Sequence, residues 1–184
     1  MPAAKTKTKS AQKQDAIALL KADHRAVEEL FEQFEGATRA ALKQKLAQQI
    51  CQELIIHTII EEEIFYPGVK DAVEDDMMDE AYVEHDGAKM LIAEIMAGSP
   101  DDPFYDAKVK VLSEEIKHHV KEEEQRDGMF AQAKKSDVDL AALGEEMAAR
   151  KAELMKEFKA NGPSKPVTKS MKGAMPEVGR VVQV

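Results

Sequence analysis

The sequence predicts an all-α fold: an up-down-up-down four-helix bundle with an additional C-terminal helix and flexible tails. Three observations carry this. Apolar residues recur at steps of three and four along four successive segments. Glycine, proline or acidic cap sequences separate those segments. No alternating apolar–polar run is bounded by a hairpin turn, so strand signals are missing.

The first helix is expected over about 15–35. Ile17, Leu20, His24, Val27, Phe31 and Phe34 share one face, Gly36 stops it, and Thr38 suits the N-cap of the next. The second is expected over about 39–66 on the seam Leu42, Leu46, Ile50, Leu54, His57, Glu61 and Ile64, ended by Pro67-Gly68. The third follows the acids Glu74-Asp75-Asp76, which suit a helix N-terminus. Its seam is Met78, Tyr82, His85, Ala88, Ile92 and Ile95, and Gly98-Ser99-Pro100 closes it. The fourth opens near Asp101-Asp102-Pro103 and presents Tyr105, Val109, Leu112, Ile116, His119 and Glu123. A fifth amphipathic helix, about 139–158, is expected to pack outside the bundle.

The chain has 184 residues, 43% of them hydrophobic and 33% charged, with a formal charge of −9. That suits one compact domain over 15–158. The basic segments 1–14 and 159–184 flank it as flexible tails. The first carries Lys5, Lys7, Lys9 and Lys13 without an acid; the second sets five cations against Glu177. The acidic centre speaks against general nucleic-acid binding. No stretch approaches the ~20 apolar residues of a membrane span. The N-terminal residues lack an apolar signal core, and the single cysteine, Cys51, implies no disulfide framework, so a cytoplasmic address is expected.

Each of the four seams contains a histidine: His24, His57, His85 and His119. Glu61 and Glu123 stand one turn after the second and the fourth. Unpaired ionisable groups inside a bundle cost several kcal/mol. Four imidazoles and two carboxylates in one layer therefore need a common compensation, which a metal centre supplies. His24 to His57 is 33 residues and His85 to His119 is 34, so the chain reads as two copies of one helix pair. Six such ligands suit two ions bridged by the carboxylates. A solvent-derived oxo or hydroxo bridge would complete about five ligands per ion. Mixed imidazole and carboxylate ligation fits iron best, with zinc or manganese as substitutes.

The segments DHRAVEELFEQF, HTIIEEEIFYP, EHDGAKMLIAEI and HHVKEEEQRDGMF together resemble the hemerythrin-like HHE cation-binding domains over roughly 15–158. The resemblance implies a four-helix bundle with a non-haem di-iron centre. Carried over by position, His24, His57, Glu61, His85, His119 and Glu123 occupy the ligand places. Two departures set it apart from the oxygen carriers. His85 has Ala81 four before it and Lys89 four after it, so the His-x-x-x-His pair of the third helix is missing. The last helix offers His-x-x-x-Glu in place of His-x-x-x-x-Asp. Both shift the expectation from oxygen carriage toward iron handling, oxygen or nitric oxide response, and peroxide chemistry.

His118 with Glu122 preserves the four-residue spacing but leaves the apolar stripe, whereas the step from Ile116 to Glu123 favours His119. Of Glu62, Glu63, Glu122 and Glu124, most read as a solvated face, with one able to hydrogen-bond a ligand imidazole. Glu53, one turn before His57, is the best candidate for a carboxylate behind a ligand. Tyr82 reads as a core aromatic or as a donor lining the pocket. The functional expectation is a di-iron protein binding or sensing a small diatomic, or handling iron. The alternatives are a di-iron enzyme acting on peroxide and a structural metal bundle serving as an interaction module. No residue outside the ligand set presents itself as a catalytic acid or base.

Overall fold

A computed structural model describes residues 14–162 and 166–171 of the chain. The flexible tails expected at 1–14 and 159–184 lie mostly outside the described residues. Among those residues the fold is all-helical, with no strands. None of the helices is long and apolar enough to cross a membrane.

Helices α1 (Ala16–Gly36), α2 (Ala40–Ile60), α4 (Asp75–Ala97) and α5 (Tyr105–Glu124) form the bundle, and α3 (Tyr66–Val69) is the short continuation of the second arm. Asp15 caps α1, its carboxylate accepting from the Ala18 N–H at 2.7 Å. The N-cap of α2 is Arg39, not the expected Thr38, and makes no side-chain cap bond. Acidic Asp75 and Asp76 occupy the first turn of α4. Before α5, Asp102 accepts from the Ser99 N–H at 2.7 Å and Phe104 takes the left-handed conformation, φ 67°.

The second arm departs from the sequence expectation. It does not end at Pro67-Gly68. It passes through a π-helical turn, Glu61–Phe65, and continues into α3, with Pro67 in the first turn, and then a 3₁₀ turn. A proline in regular helix strikes the preceding turn and removes a hydrogen bond. The wider turn in front of it restarts the helix, so Pro67 falls where prolines are tolerated.

Two helices close the structure from outside. A short α6 (Met129–Lys135), which the sequence pattern did not announce, folds back beneath the end of α5. Gly128 makes this turn possible: a Cβ there would lie 2.1 Å from the Glu122 carbonyl oxygen. Helix α7 (Leu140–Asn161), capped by Asp139, lies across α1 and α2. It lies close against the chain at Gly144, where a Cβ would meet backbone atoms of Gln14, Asp15 and Ala16 at 2.6–2.7 Å.

The core runs the length of the bundle through Leu20, Ile50, Ile56, Ile92 and Leu112, all fully buried. Each such side chain contributes about 1.5–3 kcal/mol. That apolar frame offsets a polar layer near one end, where the arms hold their histidines.

Candidate metal centre

The six residues singled out by the sequence pattern come together. His24, His57, His85, His119, Glu61 and Glu123 are between 0% and 6% exposed. Their helices place them at one level, facing inward. The Nε2 atoms of His24 and His57 are 3.2 Å apart, and so are those of His85 and His119.

The two glutamates link these pairs. Glu61 Oε2 is 3.2 Å from His57 Nε2 and 3.4 Å from His85 Nε2. Glu123 places Oε2 3.3 Å from His24 Nε2 and Oε1 3.7 Å from His119 Nε2. Each carboxylate thus touches one histidine of each pair. His24, His57 and Glu61 form one candidate metal cluster, and Glu61, His85 and His119 form another.

Behind the imidazoles stands a ring of acids. His24 Nδ1 donates to Glu124 at 2.8 Å, His85 Nδ1 to Glu62 at 3.0 Å and His119 Nδ1 to Glu84 at 2.7 Å. His57 Nδ1 faces Asp23 at 3.7 Å. The acid behind α1 comes from α5, that behind α5 from α4, that behind α4 from the π turn of the second arm, and that behind α2 from α1. Glu53, expected behind His57, lies 4.0 Å from Lys151 instead, while Lys151 also holds Asp23 at 2.5 Å. The ring has a sequence signal that the apolar stripe alone does not carry. An acid directly precedes His24 and His85, and an acid lies five residues after His57 and His119.

With Nδ1 of His24, His85 and His119 donating to a carboxylate, the Nε2 of each carries a lone pair; His57 Nδ1 and Asp23 Oδ2 are buried without a hydrogen-bond partner. The lone pairs of His85 and His119 then confront one another at 3.2 Å. Both oxygens of Glu61 and Oε2 of Glu123 are buried without a hydrogen-bond partner. Orphaned acceptors at this density are explained by a cation between them. The donor set, neutral imidazole nitrogen and carboxylate oxygen, fits first-row transition metals.

The electrostatics agree. Burial pushes the pKa of His57 down and that of His85 down to about 4, keeping both neutral and able to ligate. Burial and the charge of Glu123 raise Glu61 well above the usual carboxylate range. Burial opposes ionisation of Glu123 as well, but His119 and His24 outweigh it and hold its carboxyl low. Burial likewise opposes protonation of His119, yet Glu123 and Glu84 raise its pKa.

Tyr66 was not on the predicted face. Its hydroxyl lies 3.2 Å from His85 Nε2 and 3.4 Å from Glu123 Oε1. Five residues after Glu61, it would stand ~140° round a regular helix. The π turn brings it back beside Glu61, with the Tyr66 N–H bonded to the Glu61 carbonyl. Tyr82, the expected candidate, packs edge-on against Tyr66 and under Lys169. His118 is exposed and lies outside the centre. Phe130 of α6 stacks on His24 at 5.9 Å and closes one side.

Between α1 and α5 a surface groove of about 290 Å³ runs down to His24 past Val27, Phe31, Ile116 and Val120. A cavity of about 20 Å³ touches all four histidines and Leu54. That is room for one water-sized molecule.

On the far side, residues 169–171 are drawn onto Asp86. Its carboxylate accepts from the backbone N–H groups of Lys169, Ser170 and Met171 at 2.6–3.0 Å and from the Ser170 hydroxyl at 2.7 Å. Lys89 and Lys169 meet Glu62, the acid behind His85, at 2.6 and 3.5 Å.

A family model described as the hemerythrin HHE cation binding domain matches residues 15–132. A crystal structure of a hemerythrin HHE cation binding domain-containing protein from Mycobacterium kansasii superposes with a TM-score of 0.68. It covers 82% of this chain and 95% of its own at 23% identity, a likeness of fold. A curated relative from Nostoc, named a DNA nickase, is 30% identical over 106 residues, which are 58% of this chain. This chain spans 30% of that relative's length.

Proposed function

Because the chain belongs to the hemerythrin HHE cation-binding family, we propose that it holds two iron ions and uses them to bind or sense a small diatomic, or to handle iron itself. The single observation that carries this reading is the double link. Glu61 and Glu123 each reach one histidine of both pairs, which suits two ions sharing two carboxylates. His24 and His57 would hold one ion, His85 and His119 the other. Bound iron supplies reversible one-electron chemistry and a coordination place for a small ligand.

The chain's own groups prepare that place. Glu124, Glu62 and Glu84 fix the tautomers and orientations of His24, His85 and His119, and Asp23 faces His57. Phe130 and the apolar groove walls limit water at the centre. Burial and the charge of Glu61 hold the Tyr66 pKa well above its ordinary value, so its hydroxyl keeps its proton and can donate to a ligand.

The test is anaerobic loading with Fe(II), removal of unbound iron, and exposure to oxygen or nitric oxide. About two irons per chain and a new visible absorption on exposure support the reading. One iron or fewer per chain, or an unchanged spectrum, refutes it. Tyr66 favours a second reading, peroxide turnover, because it places a proton donor outside the ligand set. Peroxide loss no faster than with free iron, or equally fast in Tyr66→Phe, refutes that reading.

A further inference from the structure

His118 takes no part in the buried centre. It is 59% exposed on α5, with Nε2 3.2 Å from Glu122 Oε1 one turn later and 3.4 Å from Glu84 Oε1 on α4. One ligand atom from each of the three lies within 4.8 Å of the others. Glu84 is shared between two environments. Its Oε1 faces His118, while Oε2 accepts from the buried His119.

A groove of about 440 Å³ adjoins this cluster, lined by Glu84, Gly87, Glu114, Glu115 and His118. Gly87 leaves it open: a Cβ there would find only Glu115 Oε2, at 4.0 Å. Among the described residues, no lysine or arginine forms an ion pair with Glu84, Glu115 or Glu122. Burial and the charge of Glu84 raise the Glu115 pKa.

We propose that His118, Glu84 and Glu122 form a second metal site, at the surface, that takes one exchangeable divalent cation of the zinc, manganese or ferrous class. One imidazole and two carboxylates are borderline-hard ligands suited to these ions. Three protein ligands on an exposed face leave the remaining positions to water, so the ion exchanges freely. The site stands on its own geometry and does not depend on which metal fills the buried centre.

The experiment is equilibrium dialysis of the full chain against Zn(II), with zinc counted per chain. Wild type binds one more zinc than His118→Ala, and Glu122→Gln weakens that extra zinc at least about tenfold. Circular dichroism confirms that the variants fold. With Mn(II) as the probe, the His118 imidazole resonances broaden selectively in wild type. Equal zinc counts in wild type and H118A overturn the proposal, as does Mn(II) that leaves the His118 resonances sharp. A deficit of one zinc in H118A supports it even where the buried centre takes up no iron. That result separates this site from the reading of the centre.

Discussion

Glu61→Gln separates the metal's contribution from that of the fold. Glu61 is fully buried, and neither of its oxygens has a hydrogen-bond partner. Without metal, its ionised form is opposed by burial and by Glu123. Glutamine keeps the shape and is neutral without taking up a proton on folding, so at neutral pH the metal-free protein should gain on the order of 1–3 kcal/mol. For a chain of this size that is a rise of about 2–12 °C in melting temperature. The loaded protein should move the other way. Glu61 reaches a histidine of each pair at 3.2 and 3.4 Å, so on the proposed two-ion reading the amide should weaken both sites together. A loss of about 100-fold in affinity removes ~2.7 kcal/mol of metal-linked stability. The assay is thermal unfolding of wild type and E61Q, with and without Fe(II) under argon, alongside metal analysis. The reasoning is refuted if metal-free E61Q melts below wild type, or if it takes up as much metal as wild type with the same thermal gain.

Three further outcomes are expected. Gly144→Ala forces a methyl group against the Asp15–Ala16 backbone and should destabilise the protein by about 1–3 kcal/mol, read in urea unfolding. Asp86→Asn removes the charge that gathers four donors from residues 169–171, and it should expose this segment to limited proteolysis at neutral pH while α1 to α5 stay resistant. Burial pushes the Cys51 thiol up to about 12. Its labelling by a disulfide reagent should therefore be far slower than that of a free thiol of pKa about 8.5 at pH 8, and should keep rising with pH beyond about 9, where the free thiol levels off. Denaturant should abolish the difference.

The bundle and the layer of six residues were legible because they follow the helical period. His24, His57, His85 and His119 interrupt otherwise apolar stripes, and the near-equal spacings put them at one height. Tyr66 was not legible, because the π turn changes the period where it matters; the glutamate run 61–63 before Pro67 carries no local sign of it. Helix α6 escaped notice because seven residues hold less than two turns of pattern. Lys89 and Asp86 are buried on the polar side of α4, where the stripe predicts solvent. Each is covered by a distant segment, the π turn or residues 169–171, and no local period encodes that contact. Glu53 was preferred behind His57 because it lies one turn away on the same helix. Asp23, from the neighbouring helix, faces His57 instead, held by Lys151 of α7.

The closed ring of acids gives the molecule an internal symmetry of association. The first helical pair supplies Asp23 for its own His57 and Glu62 for His85 of the second pair. The second supplies Glu84 for its own His119 and Glu124 for His24 of the first. Glu61 and Glu123 cross over in the same sense. The contact between the halves is therefore isologous, like the interface of a two-fold dimer, although a single chain makes both sides. Neither half can orient its own two histidines alone. A lesion in one half is felt at a histidine of the other, so the centre assembles or fails as a unit.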